Sequence, residues 1–227
     1  MGIFVKIVFI CFCFLQPLFG QDWANLKRFQ EENQNLKPAA IGESRVVLMG
    51  NSITEGWPKF YPEFFENSSF VARGISGQTT PQMLLRFRQD VIDLKPDVVV
   101  ILAGTNDIAG NTGPMTLEEI LGNIVSMCEL ARASDIKIVL SSVLPAYEYP
   151  WKKEIQPAEQ IVELNRFLQQ YAKANEITYL DYFTPMADSR HGLKSEYTYD
   201  GVHPNKVGYV EMSRLLKRAL KETRKSS

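Results

Sequence analysis

Short apolar runs alternate along the chain with longer stretches in which apolar residues recur every three or four positions. Val46-Val47-Leu48-Met49 and Val98-Val99-Val100-Ile101-Leu102 are too short for helices and are bounded by charge, proline or glycine, the pattern of strands buried on both faces. Three further strands are expected at Ser69 to Arg73, Ile136 to Ser141 and Thr178 to Leu180. Between them, Thr79 or Thr80 is placed to cap a helix with Pro81 at its first position, and Met83, Leu84, Phe87, Val91 and Ile92 form its apolar face. Further helices are expected at 117–133 and 158–174, with a last one opened by Pro204 and running to about Lys221. Trp57 to Phe65 reads as a short aromatic helix. Trp23, Leu26 and Phe29, at helical spacing, predict an N-terminal helix or an arm packed on the domain from Trp23 to about Leu36, which Pro38 ends. Strand and helix alternate with no repeat and no linker, which predicts one domain over residues 21–227: a five-stranded parallel sheet with helices on both faces.

The 227 residues are 45% hydrophobic and 22% charged, enough for one sizeable core, and a formal net charge of -1 supplies no basic excess for nucleic acid. The cations near the end, from Lys217 to Lys225, suit the last turns of a helix. Residues 1–20 differ in kind: Lys6, an apolar core from Ile7 to Leu15, then Pro17 and the small residue Gly20 have the layout of a secretory signal. That core is too short to span a bilayer, so export without a stable membrane span is expected. Cys11 and Cys13 would leave with the signal, and Cys128 in an apolar helical pattern is expected to be a small buried hydrophobe.

Three glycine- or asparagine-containing turns follow three successive strands: Gly50-Asn51-Ser52, Gly74 to Gly77, and Gly104-Thr105-Asn106-Asp107. In a parallel sheet such turns share one edge, where ligands bind. A single Gly-x-Ser is an ordinary turn; a nucleophilic serine also needs a base, and the chain has two histidines. His203 lies in Asp200-Gly201-Val202-His203-Pro204, where a turn folds the carboxylate onto imidazole Nδ1 and leaves Nε2 free for the serine proton. His191 has no such acid beside it and reads as a surface residue.

Gly50-Asn51-Ser52-Ile53-Thr54, Gly74-Ile75-Ser76-Gly77, Gly104-Thr105-Asn106-Asp107 and Asp200-Gly201-Val202-His203 resemble, in order and approximate spacing, the four blocks of the SGNH, or GDSL-type, esterases and lipases, with similarity to secreted bacterial members. The resemblance covers residues 44–220. It implies a flavodoxin-like three-layer α/β/α sandwich, Ser52 as nucleophile, Asp200 and His203 as acid and base, and Gly77 and Asn106 as oxyanion-hole donors beside the Ser52 amide. It implies no metal and no cofactor. Neutral donors such as a glycine N–H and a carboxamide suit that task without adding a competing base. Asn51 stands where the family usually has aspartate, which keeps hydrogen bonding and drops the charge. Asp107 is expected to fix its loop rather than to be a second catalytic acid.

The function expected is hydrolysis of carboxylic esters through an acyl-enzyme, with short acyl groups, above all acetyl on a carbohydrate, ahead of a lysophospholipase or platelet-activating-factor-acetylhydrolase-like role. A glycan-binding module on the same fold is the non-enzymatic alternative. Tyr149 and Trp151 follow the fourth strand and Trp57 the first turn. These rings either line the approach to Ser52 and select an acetylated glycan, or pack over the sheet edge.

Overall fold

The computed structural model describes residues 21–39, 42, 44–66 and 68–225; the proposed signal segment lies outside them. Five strands, β1 (Val46–Gly50), β2 (Phe70–Gly74), β3 (Val98–Ile101), β4 (Lys137–Ser141) and β5 (Thr178–Leu180), form one parallel sheet in the order β2-β1-β3-β4-β5. The helices are α1 (Gln30–Gln34), α2 (Ser52–Phe60), α3 (Thr80–Asp90), α4 (Thr105–Ile108), α5 (Leu117–Arg132), α6 (Ala158–Ala174), α7 (Phe183–Met186) and α8 (Lys206–Lys225).

The alternation of strand side chains divides the core. Val47, Met49, Val99 and Ile101 face α3, α5 and α6, packing with Met83, Phe87, Ile120, Ile124, Leu164 and Leu168. Val46, Leu48, Val98 and Val100 face α2 and α8, packing with Ile53, Trp57, Tyr209, Met212 and Leu216. Both faces are covered, which is why the central strands carry no polar alternation. The three-layer sandwich is therefore present, and the order reverses between β1 and β3, the place where such sheets open a crevice.

Several boundaries differ from expectation. The N-terminal helix is only Gln30–Gln34. Ahead of it the Asp22 carboxylate accepts the Leu26 and Lys27 amides at 2.7 and 3.1 Å, and Asn25 takes a left-handed φ of 54°, so the chain turns instead of coiling. The aromatic helix starts earlier, at Ser52 itself. Thr79 caps α3 in a reciprocal pair with Gln82, and the helix ends at Asp90, ahead of Val91 and Ile92. The turn after β3 is the short helix α4. The last helix begins at Lys206, where the Asn205 side-chain oxygen accepts the Gly208 amide (3.0 Å). Among the described residues, no helix is long and apolar enough to cross a membrane.

Candidate active site

The first turn after β1 presents Ser52 at the start of α2. Asn51 is buried, its Oδ1 accepts the Ile53 amide (3.2 Å), and its carbonyl accepts the Glu55 amide (2.9 Å). Capping a helix needs an acceptor and not a charge, so the amide in place of aspartate serves this turn. Beneath it lies Arg86, fully buried and paired with Asp90 at 3.0 Å, which donates to the carbonyls of Gly50 (2.9 Å) and Arg73 (3.0 Å). It ties together the ends of β1 and β2. Sequence reasoning missed Arg86, whose only signal was a cation amid the apolar positions of α3.

Ser52 Oγ lies 3.0 Å from His203 Nε2, and His203 Nδ1 lies 2.7 Å from Asp200 Oδ2. The acid and base are set by a local turn. Asp200 Oδ1 accepts the amides of Val202 (2.9 Å) and His203 (2.7 Å), with Gly201 at a positive φ of 87° between them. Thr198 Oγ1 closes the turn, accepting the Gly201 amide (2.9 Å) and donating to the His203 carbonyl (2.7 Å). Burial works against ionisation of Asp200, but the His203 amide, the imidazole and the Val202 amide outweigh it and hold the carboxyl below its ordinary range. The imidazole thus faces a carboxylate on one nitrogen and the serine on the other.

The second and third turns meet beside Ser52. Gly77 adopts a φ of 77°, open to glycine at little cost, and Asn111 Nδ2 donates to its carbonyl (3.0 Å). Asn106, on α4, is buried, and its Nδ2 donates to the Gln78 carbonyl at 2.9 Å. Asp107 Oδ1 accepts both the amide (2.8 Å) and the hydroxyl (2.6 Å) of Thr80, which makes it the brace of its loop. Burial pushes its carboxyl above the ordinary range, against the pull of those Thr80 donors.

The three rings separate. Trp57 is buried, donates Nε1–H to Ser213 Oγ (3.1 Å) and stacks on Phe64, and Tyr149 is fully buried with its hydroxyl on the Thr105 carbonyl (3.0 Å). Both correct the reading of them as substrate contacts: they are packing residues. Trp151 stacks over Tyr149, is 45% exposed, and its ring centre is 5.8 Å from that of His203. On another contact of the imidazole is Tyr199, 60% exposed and stacked at 6.0 Å, a residue that sequence reasoning missed although it directly precedes the acid. A cavity of about 350 Å³ opens beside these groups, lined by Ser52, Glu55, Lys59, Phe60, Tyr199 and His203 among others. His191 sits apart, with Nδ1 3.4 Å from Glu159. No cluster of three or more metal-ligating side chains occurs among the described residues, and Cys128 is buried, its thiol pushed up to about 12 by desolvation.

Residues 48–210 match the model of the GDSL-like lipase/acylhydrolase family. The structure is similar to that of a GDSL-like lipase from Bacteroides thetaiotaomicron, with 50% identity, a TM-score of 0.85, and coverage of 88% of this chain and 98% of that one. It is also similar to an acylhydrolase-like protein from Bacteroides fragilis, with 47% identity, a TM-score of 0.87, and coverage of 89% and 99%. Among curated proteins, an acetylxylan esterase of Xylanibacter ruminicola is 24% identical over 213 residues, which is 78% of this chain and 43% of that protein. The chain spans about half or less of the length of the curated relatives it matches. With the match running from β1 into α8, the chain belongs to the GDSL-like lipase/acylhydrolase family, a family of carboxylic ester hydrolases.

Proposed function

We propose that this chain hydrolyses short-acyl carboxylic esters through an acyl-enzyme on Ser52. The observation that carries the reading is the continuous line from Ser52 Oγ through His203 to Asp200, at 3.0 and 2.7 Å. His203 Nε2 takes the hydroxyl proton as Oγ bonds to the acyl carbon, and Asp200 holds the Nδ1–H and stabilises the imidazolium. The carbonyl oxygen becomes an oxyanion facing the amides of Ser52 and Gly77 and the Asn106 carboxamide. Collapse expels the alcohol, which receives the proton from Nε2; water then repeats the sequence and releases the acid. An active-site fluorophosphonate should label the protein, and Ser52→Ala should abolish labelling and lower kcat by roughly 10⁶. Labelling that survives the substitution would place the nucleophile elsewhere.

The acyl group is acetyl and the alcohol a carbohydrate on this reading. Support comes from Trp151 and Tyr199, two exposed rings beside the imidazole. Flat apolar faces with polar edges suit a sugar ring. The name of the acetylxylan esterase relative points the same way. Trp151→Ala should lower kcat/KM for an acetylated oligosaccharide by about tenfold, the equivalent of one ring contact of about 1.4 kcal/mol, and leave p-nitrophenyl acetate unchanged. Equal losses on both substrates would make the ring structural, and preference for a lysophospholipid or long-acyl ester would favour the lipid reading.

A further inference from the structure

Glu55 lies one turn after Ser52 on α2 and has no part in the reaction steps above. Its Oε2 accepts the backbone N–H of Ser76 (2.9 Å) and also the Ser76 hydroxyl. Ser76 immediately precedes Gly77. The carboxylate therefore joins the helix that carries the nucleophile to the loop that carries an oxyanion donor. The two segments touch backbone to backbone at the same place: a Cβ on Gly74 would lie 2.2 Å from the Glu55 nitrogen and 2.6 Å from the Asn51 oxygen. Two other side chains hold the loop, Asn111 at the Gly77 carbonyl (3.0 Å) and Asn106 at the Gln78 carbonyl (2.9 Å). Both come from the β3 side of the site. Of these three side chains, only Glu55 belongs to the element bearing Ser52, and Arg28 of the N-terminal arm, 3.8 Å away, supplies a countercharge.

An oxyanion hole works only if its donors converge on one point, at about 2.7–3.1 Å from the oxygen, and a misplacement of about 1 Å costs roughly 10² in rate. We infer that Glu55 is a positioning residue: by pinning Ser76 it fixes the Gly77 amide relative to the Ser52 amide, so that both address one oxyanion. The inference rests on the ester-hydrolase reading of Ser52. It assigns Glu55 a role in the transition state, acting through Ser76; because the carboxylate also lines the cavity beside Ser52, the split between KM and kcat distinguishes this role from a substrate contact.

The test compares Glu55→Ala and Glu55→Gln in the full chain. The glutamine oxygen still accepts both Ser76 donors, so Glu55→Gln should keep kcat on p-nitrophenyl acetate within a few-fold. Glu55→Ala should lower kcat by roughly 10- to 100-fold with KM nearly constant. Backbone hydrogen exchange over residues 75–78 should rise in Glu55→Ala and stay near wild type in Glu55→Gln. A kcat within twofold of wild type for Glu55→Ala overturns the inference, as does a rise in KM with kcat intact, which would make Glu55 a substrate contact. Equal losses in the alanine and glutamine variants also overturn it, since charge and not the pinned loop would then matter. Should the wild-type protein hydrolyse no ester and resist labelling at Ser52, the ester-hydrolase reading fails by itself; unchanged exchange at 75–78 would separately remove the clamp.

Discussion

Asn106 carries two amide hydrogens, and the fold uses one of them on the Gln78 carbonyl at 2.9 Å. That bond sets the plane of the carboxamide, and the second hydrogen is the one available to a substrate oxygen. Asn106→Ala should therefore lower kcat by roughly 10²–10³ with little change in KM, measured on p-nitrophenyl acetate. The same change strips a buried carbonyl of its partner, a loss of about 1–3 kcal/mol, so kinetics belong well below the lowered melting temperature. A pure KM effect would make Asn106 a substrate-binding residue instead. On the proposed mechanism Asn106 would thus serve structure and chemistry at once, whereas Asn51 serves structure alone: it caps α2 through Oδ1 and bears no charge.

Polar braces tie elements together at this edge. Asp107, on α4, accepts two hydrogen bonds from Thr80 at the start of α3, while its other oxygen is buried without a partner. Burial raises this carboxyl from its ordinary 3.8. A raised folded-state value means that the native state holds the proton more tightly than the unfolded chain. The associated stability is complete below about pH 3.8 and is lost as pH rises through the folded value. Asp107→Asn keeps an acceptor for Thr80 and removes the titration, so its melting temperature relative to wild type should climb from about pH 4 toward neutrality. A difference that stays constant across that range would show that the carboxyl does not titrate between the two states. Esterase activity should persist in this variant, because Asp200 and not Asp107 faces the imidazole.

For the molecule as a whole, the export reading belongs to residues 1–20, outside the described structure. Expressed in full in a bacterial host, the protein should be recovered outside the cytoplasm with the intact mass of a chain beginning at Gln21; full-length mass in the cytoplasm would remove the signal. Among the described residues the one cysteine, Cys128, is buried and free, so the described core holds together without a disulfide.

The order of elements was legible because fully apolar runs of four or five residues satisfy their surroundings only between two helical layers. The bounds of α6 and β5 agree with those expected from the sequence. The pairing of Asp200 with His203 was legible too, since the two lie within one turn and it needs only local hydrogen bonds. Of the helix or packed arm expected from Trp23 to Leu36, the packed arm is what forms ahead of Gln30, because one carboxylate at Asp22 and one left-handed residue at Asn25 turn the chain against the spacing of Trp23, Leu26 and Phe29. Only the tertiary structure decided which ring faces outward. Tyr149 and Trp151 are two positions apart and chemically alike, yet one fills the core and the other lies over it, because burial depends on neighbours supplied by distant elements. The same holds for Arg86 beneath the strand ends and for Glu55 on Ser76. Ser52 and His203 are separated by 151 positions, and the 3.0 Å between them is set by the register of the sheet and the packing of α8 against α2.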